Sequence, residues 1–260
     1  MESMSPTSIP DPYSGSLAGN RALIVGGATG IGEATALLFS QRGADVMIAD
    51  YNREKGAAVA DKITADGGRG RFFEIDVRQE ESVRGAFDMV TRHADQLDTF
   101  VYSAGVLRGA YDAVADLDEE DWSATIDTNL KGTYLASKYA APLLAAAGAS
   151  VVLLISSGAG VRGGSSSLAY AASKAGMHGM QHNLASDIPG ARLHVVCPGG
   201  IATPLKLANV GQGAVSRGED PETAMEQARK SLGEPVGIAR ILAFLASPEA
   251  DYMRSTVFTR

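Results

Sequence analysis

From residue 21 onward, short apolar runs alternate with longer stretches whose apolar positions recur every three to four residues. The runs at 22–25, 45–49, 71–75, 99–102, 151–155, 193–196 and 256–259 predict strands. The stretches at 31–41, 54–65, 82–93, 120–147, 168–187, 222–231 and 236–246 predict helices. Gly43 closes the first helix as a C′ residue, and Pro235 opens the last one near N1. The run 151–155 is the most apolar and is expected at the centre of the sheet. Strand–helix alternation at this spacing builds βαβ units, hence an α/β fold with about seven parallel strands and helices on both faces. No composition break divides the chain, so a single doubly wound domain over 17–260 is expected, behind a flexible arm at 1–16. Residues 202–218 are the least regular internal stretch. Ligands of such sheets lie beyond the carboxyl ends of the strands, so this stretch is expected to form a substrate lid.

Composition narrows the function classes. The 260 residues include 45% hydrophobic and 20% charged positions, a globular balance. A net charge of -7 disfavours nucleic acid and anionic membranes, which need clustered Lys and Arg. The single cysteine, Cys197, rules out an internal disulfide framework and a cysteine metal cluster, and reads as a small buried residue. His178 and His182 are four apart but lack an HExxH pattern, so they read as surface or packing residues and no metal is expected. Trp122 reads as packing, and the carboxylates between 116 and 121 as helix capping. The N-terminus has neither a basic nor an apolar region of a signal peptide, and a soluble cytoplasmic protein is expected.

The first expected strand runs into Val25-Gly26-Gly27-Ala28-Thr29-Gly30-Ile31-Gly32, where a helix begins. Glycines there allow a sharp turn and bring backbone N–H groups and a helix N-terminus close to a diphosphate, while Gly32 permits close helix–strand packing. An ordinary tight turn is the bland alternative, but the position after the first strand favours dinucleotide binding. Asp50 ends the second strand and suits a ribose diol, which favours NAD over NADP. Arg53 is the residue that would spoil this preference, or else a solvated cation at a helix start.

Tyr170 and Lys174 share a helix face at four-residue spacing. A lysine cation favours the phenolate of a nearby tyrosine, and such a pair can move a proton to or from an alcohol oxygen. Tyr51/Lys55 and Tyr134/Lys138 repeat the spacing. Only the third pair has a hydroxyl, Ser157, thirteen residues upstream at the end of an apolar strand. The other two pairs read as helix-surface residues.

Taken together, these motifs resemble the short-chain dehydrogenase/reductase family in its single-domain Rossmann form, from about residue 17 to the end. The motifs fall in the family's order: the loop Gly26 to Gly32 with Thr29, Gly30 and Ile31, then Asp76, Ala104-Gly105, Asn129-x-x-Gly132, Ser157, Tyr170-x-x-x-Lys174, and Pro198-Gly199 before Ile201 and Thr203. The resemblance implies hydride transfer between NAD(H) and a secondary alcohol or ketone, with Tyr170 as general acid-base. It implies that Lys174 binds the nicotinamide ribose and depresses the tyrosine pKa, that Ser157 holds the reacting oxygen, and that Asn129 holds a relay water. Asp76 and Val77 would meet adenine, Ala104 and Gly105 the adenosine and ribose, and Ile201 and Thr203 the carboxamide.

There are departures. Val25 stands where the family usually has Thr, and Ser103, also expected at the cofactor, where it often has Asn. Altered local bonding with retained function is expected. The resemblance also implies a homodimer or homotetramer through the helices near 120–147 and 168–187. An NADPH-dependent 3-oxoacyl-type ketoreductase and a non-catalytic NAD(H)-sensing protein are the rival readings. Arg108, Arg162, Lys206 and Arg217 border the expected pocket and suit an anionic or polyol substrate, or are solvated charges. The 30 glycines exceed the roughly 18 of average usage. Twelve of them lie in loops after the first, fourth, fifth and sixth strands, which clears backbone along one sheet edge.

Overall fold

The apolar runs become β1 (Arg21–Val25), β2 (Asp45–Asp50), β3 (Arg69–Glu74), β4 (Thr99–Tyr102), β5 (Ser150–Ile155), β6 (Ala191–Cys197) and β7 (Ser255–Phe258). In the computed structural model, which describes Tyr13 and residues 15–259, they form one sheet in the order β3-β2-β1-β4-β5-β6-β7, with every pair parallel. Most of the expected arm at 1–16 lies outside the described residues.

Parallel strands need crossovers, and the helices supply them on both faces. These are α1 (Gly30–Gln41), α2 (Arg53–Ala65), α3 (Glu80–Thr91), α4 (Glu119–Ile126), α5 (Gly132–Ala146), α6 (Ala159–Arg162), α7 (Leu168–Asp187), α8 (Pro204–Ser216), α9 (Pro221–Ser231) and α10 (Pro235–Ala246). Gly43, at φ +95°, closes α1. Alternate strand residues feed two cores. Leu23, Val25, Phe100 and Leu154 pack with Phe87, Leu144 and Met177 on one face. Ile24, Ile48, Val101 and Leu153 pack with Phe39, Ile63 and Leu242 on the other. None of the described helices is long and apolar enough to cross a membrane.

Three expectations change. The central strand is β4, because the chain crosses back after β3 to lay β4 beside β1; β5, buried along its whole length, is its neighbour. The helix expected at 120–147 is interrupted by a π-helical turn at Asp127–Lys131. Hydroxyl groups take up carbonyls in this widened turn: Tyr102 Oη donates to Thr128 O at 2.6 Å, and Thr133 Oγ1 to Asn129 O at 2.6 Å. The stretch 202–218 is a regular helix, α8, started by the Thr203 cap on the Lys206 N–H and by Pro204 in the first turn. Its glycines disguised it in the sequence, yet they are packing positions. A Cβ at Gly213 would collide with the Tyr111 hydroxyl, and one at Gly211 would stand 3.3 Å from Met225 Sδ.

Candidate active site

The strand order reverses between β1 and β4, and loops leaving the carboxyl ends of β1, β4, β5 and β6 open a cleft of about 1220 Å³ there. The β1–α1 loop forms one wall. Gly26 has φ +83°, and a Cβ on it would overlap the backbone of Ala104. A Cβ on Gly32 would overlap the carbonyl of Gly26, so this glycine sets the helix against the loop without lining the cleft. Thr29 gives α1 no side-chain cap, which leaves first-turn N–H groups beside the cleft for a ligand. Val25 O accepts from Ser103 N at 2.7 Å and from Ala104 N at 3.1 Å, so backbone bonds join the loop regions where the two family departures occur.

Asp50 braces this wall and remains on the cleft. Its Oδ2 accepts from Ala28 N at 3.0 Å and its Oδ1 from Asn52 N at 2.9 Å. Arg53 is held by Glu74 at 2.7 Å, away from the cleft lining. Arg78 lines the cleft but is paired to Asp76 at 2.8 Å and lies over the Tyr51 ring. Its hydrogen bonds hold the Asp76 carboxyl below the usual carboxylate range.

At the other end stand Ser157, Tyr170 and Lys174. Ser157 ends the loop from β5, and Tyr170 and Lys174 project from α7, whose N-terminus is capped by Ser167 accepting from Tyr170 N. Burial pushes the Tyr170 phenol up, and its hydrogen bond with Ser157 pulls it part of the way back. Lys174 Nζ lies 5.6 Å from the centre of the Tyr170 ring. It donates to Ile155 O at 2.8 Å, and burial lowers its pKa to about 8.

Asn129 is fully buried behind the cleft. Its Oδ1 accepts from Val106 N at 2.8 Å, and its Nδ2 donates to Val106 O and to Ser173 Oγ. It thus ties the loop after β4 to α7. Gly105 lies in front of it: a Cβ there would stand 3.4 Å from Asn129 Oδ1 and 3.6 Å from Lys174 Nζ. Gly105 and Lys174 both line the cleft, and with the uncapped α1 N-terminus this lining suits a dinucleotide.

Asp76, Val77, Ser103, Ala104, Gly105, Pro198, Gly199, Ile201 and Thr203 all line the cleft with Gly26, Thr29, Gly30 and Ile31; Gly32 and Asn129 stand behind it. Of the other Tyr/Lys pairs, Tyr134/Lys138 is on the surface, with Lys138 on Glu80 at 2.6 Å. Tyr51 precedes α2 and lines the cleft, so its reading as a helix-surface residue is corrected. Trp122 remains 36% exposed, short of the packing role expected for it. His178 lies between Ser156 Oγ at 3.2 Å and Thr256 Oγ1 at 3.4 Å, with the buried Cys197 Sγ at 3.6 Å. Asp118 caps α4 by accepting from Glu120 N.

The sequence reading missed a latch at the substrate end. Asn209 Nδ2 donates to Ser166 Oγ at 2.8 Å, Tyr111 Oη donates to Asn209 O at 3.3 Å, and Tyr111 N donates to Ser166 O at 2.6 Å. These bonds join the loops after β4 and β5 to α8. The available signal was Asn209, a polar residue between the apolar Leu207-Ala208 and Val210.

Residues 26–259 match the family model described as Enoyl-(Acyl carrier protein) reductase. The chain is similar to 3-oxoacyl-(acyl-carrier-protein) reductase FabG of Thermotoga maritima, 32% identical over 250 residues, covering 93% of this chain and 96% of that protein. It is 36% identical over 242 residues to trans-4-hydroxycyclohexanecarboxylate dehydrogenase of Sinomonas cyclohexanicum, covering 89% and 87%. The crystal structure of levodione reductase superposes with a TM-score of 0.84 at 26% identity, covering 93% of this chain and 96% of that one.

Proposed function

The chain belongs to the short-chain dehydrogenase/reductase family, and on that premise we propose that it oxidises a secondary alcohol, or reduces the matching ketone, with NAD(H) as cofactor. The observation that carries this reading is that Ser157, Tyr170 and Lys174 share one cleft with the glycine loop and Asp50. Bound NAD(H) supplies the hydride acceptor or donor. The first-turn N–H groups of α1, with Gly26, Thr29, Gly30 and Ile31, hold the diphosphate, and Gly32 acts behind them by letting α1 pack against the loop. Asp50 takes the adenosine ribose hydroxyls, Asp76 and Val77 flank adenine, and Ser103, Ala104 and Gly105 line the adenosine side. Pro198, Gly199, Ile201 and Thr203 hold the nicotinamide end.

Tyr170 moves the proton at the substrate oxygen, and Ser157 hydrogen-bonds that oxygen. Of its three protons, Lys174 gives one to Ile155 O at 2.8 Å and one to Met177 Sδ in a long contact at 3.8 Å, and the third is left for a ribose hydroxyl. Asn129 fixes the loop that faces Lys174 and sits at the π-turn, the place assigned to the relay water. Asp50 would repel a 2′-phosphate, while Arg53 and Arg78 are engaged by carboxylates; both points favour NAD over NADP. We further take the enzyme to be a cytoplasmic homodimer or homotetramer through α4, α5 and α7, whose Trp122, Tyr134 and Leu168 are exposed. A monomeric mass by light scattering overturns that part.

Similarity to the 3-oxoacyl-(acyl-carrier-protein) reductase supports a second reading, an NADPH-dependent ketoreductase of the 3-oxoacyl type. Paired titrations with NADH and NADPH, followed by turnover on a panel of alcohols and ketones, decide between them. A strong NADPH preference overturns the role of Asp50. Tight NADH binding with no turnover on the whole panel favours a cofactor-sensing protein instead.

A further inference from the structure

The two ends of the cleft carry charge differently. Its lining carboxylates, among the described residues, are Asp50 and Asp76, both at the adenosine end, and the one arginine there, Arg78, is neutralised by Asp76. The substrate end is lined by Arg108 from the loop after β4, Arg162 at the end of α6, and Lys206 in the first turn of α8. Segments following three adjacent strands, β4, β5 and β6, thus each contribute one cation to the lining of the same cleft. The side chains of Arg108 and Lys206 make no ion pair or hydrogen bond among the described residues, and Arg162 lies over the Phe258 ring at 4.4 Å. Asp112 is on the nearby loop and Asp121 on α4, but Asp121 accepts from Gly109 N and neither lines the cleft. Arg217, the fourth cation of the sequence reading, is held by Glu219 at 2.7 Å and is not on the cleft.

Four cations elsewhere are paired instead. Arg69 and Arg71 share Asp45, Arg53 holds Glu74, and Lys138 holds Glu80. In a chain of net charge -7, cations that line a cleft without a carboxylate partner attract anions to it. The first turn of α8 contains no acid and adds the positive end of its dipole. The chain neighbours of two of these cations, Leu107 and Leu205, line the same cleft with Val106 and add apolar surface to it.

We propose that the substrate is an alcohol or ketone with an apolar body and a carboxylate or similar anion remote from the reacting carbon, the anion being held by Arg108 and Arg162 with Lys206. This rests on the oxidoreductase reading above and adds the substrate class. Guanidinium groups suit a planar carboxylate because they donate two parallel hydrogen bonds. One competing use of the cations is the cofactor diphosphate, since Thr203 at the start of α8 touches the phosphate loop at Gly30.

The test uses matched acids and methyl esters, trans-4-hydroxycyclohexanecarboxylate and 3-hydroxybutyrate among them. kcat/KM with NAD+ is measured for wild type, Lys206→Gln and the double variant Arg108→Gln/Arg162→Gln, with thermal melting to confirm folding and an NADH titration for each. Wild type is expected to prefer the acids by at least roughly ten-fold, and the acid/ester ratio to fall roughly ten- to hundred-fold in the double variant. Lys206→Gln is expected to lower the ratio less. Esters used as well as acids, or a ratio that holds in the double variant, overturns the proposal. NADH affinity lost with the ratio unchanged assigns the cations to the cofactor and also overturns it. Turnover of esters without preference leaves the oxidoreductase reading standing; no turnover of either member of any pair removes both.

Discussion

Lys174 Nζ donates a 2.8 Å hydrogen bond to the carbonyl oxygen of Ile155, the last residue of β5. The bond holds an ammonium group inside the protein, at a cost. Its pKa falls from 10.5 to about 8 through burial, so the unfolded chain holds the proton more tightly between those values. The penalty is therefore full below about pH 8 and fades as pH rises toward 10.5. Lys174→Met is expected to abolish turnover while raising stability at pH 7 by on the order of 1–2 kcal/mol. Melting curves at pH 7 and pH 10 check this, and a lower Tm at pH 7 would show that the Ile155 bond outweighs the burial penalty.

Tyr170→Phe removes the proton-transferring atom and keeps the ring. Turnover is expected to fall by roughly 10²- to 10⁴-fold, with NADH affinity within about two-fold of wild type. NAD-linked assays beside fluorescence titration of NADH provide the comparison. Retained activity would transfer the proton chemistry to another group in the cleft.

Asp50 has two tasks, since it braces Ala28 and faces the cleft. Asp50→Asn keeps an acceptor but loses the charge. NADH binding is expected to weaken roughly ten-fold and NADPH binding to strengthen, narrowing the preference between the two. If the NADH/NADPH affinity ratio does not move, Asp50 does not read the 2′ position.

His194 lies fully buried on β6. Burial, with the Arg192 charge beside it, lowers the imidazole pKa to about 4. The unfolded chain, with an ordinary histidine near 6.5, therefore binds the proton that the folded one refuses between those values. Stability is expected to fall as pH drops from about 6.5 toward 4, and His194→Leu to flatten that part of the curve. Urea midpoints at pH 7, 5.5 and 4.5 measure the slope; an identical acid loss in the variant would place the effect elsewhere.

What could be read from the chain alone follows from where the signal is local. Strands such as 151–155 and the full span of α7 announce themselves through continuous or periodic apolar positions. The glycine loop, Ser157, Tyr170 and Lys174 stand at fixed places relative to those elements, so their convergence was legible. The π-turn at Asp127–Lys131 was not, because hydroxyls from Tyr102 and Thr133 support it and one of these is on another strand. The helix α8 was hidden by glycines whose purpose, room for Tyr111 and Met225, exists only in three dimensions. Tyr111, Ser166 and Asn209 escaped for the same reason: they are far apart in sequence and meet only when the loops close.

The chain leaves the body of the protein at Ile201 to form α8 and α9, and returns at Gly233. Those two residues pair side by side, with Ala202 N on Gly233 O at 2.8 Å and Gly233 N on Gly200 O at 2.9 Å. Exit and re-entry are thus clasped together like the knuckles of a door hinge. On the cleft side α8 is held by the Asn209 bonds to Ser166 and Tyr111, whereas Ser157 is rooted in the loop after β5, and Tyr170 and Lys174 in α7. The clasp at the base of α8 and α9 and the roots of the three cleft side chains thus lie in different parts of the chain, so the geometry of one does not depend directly on the other.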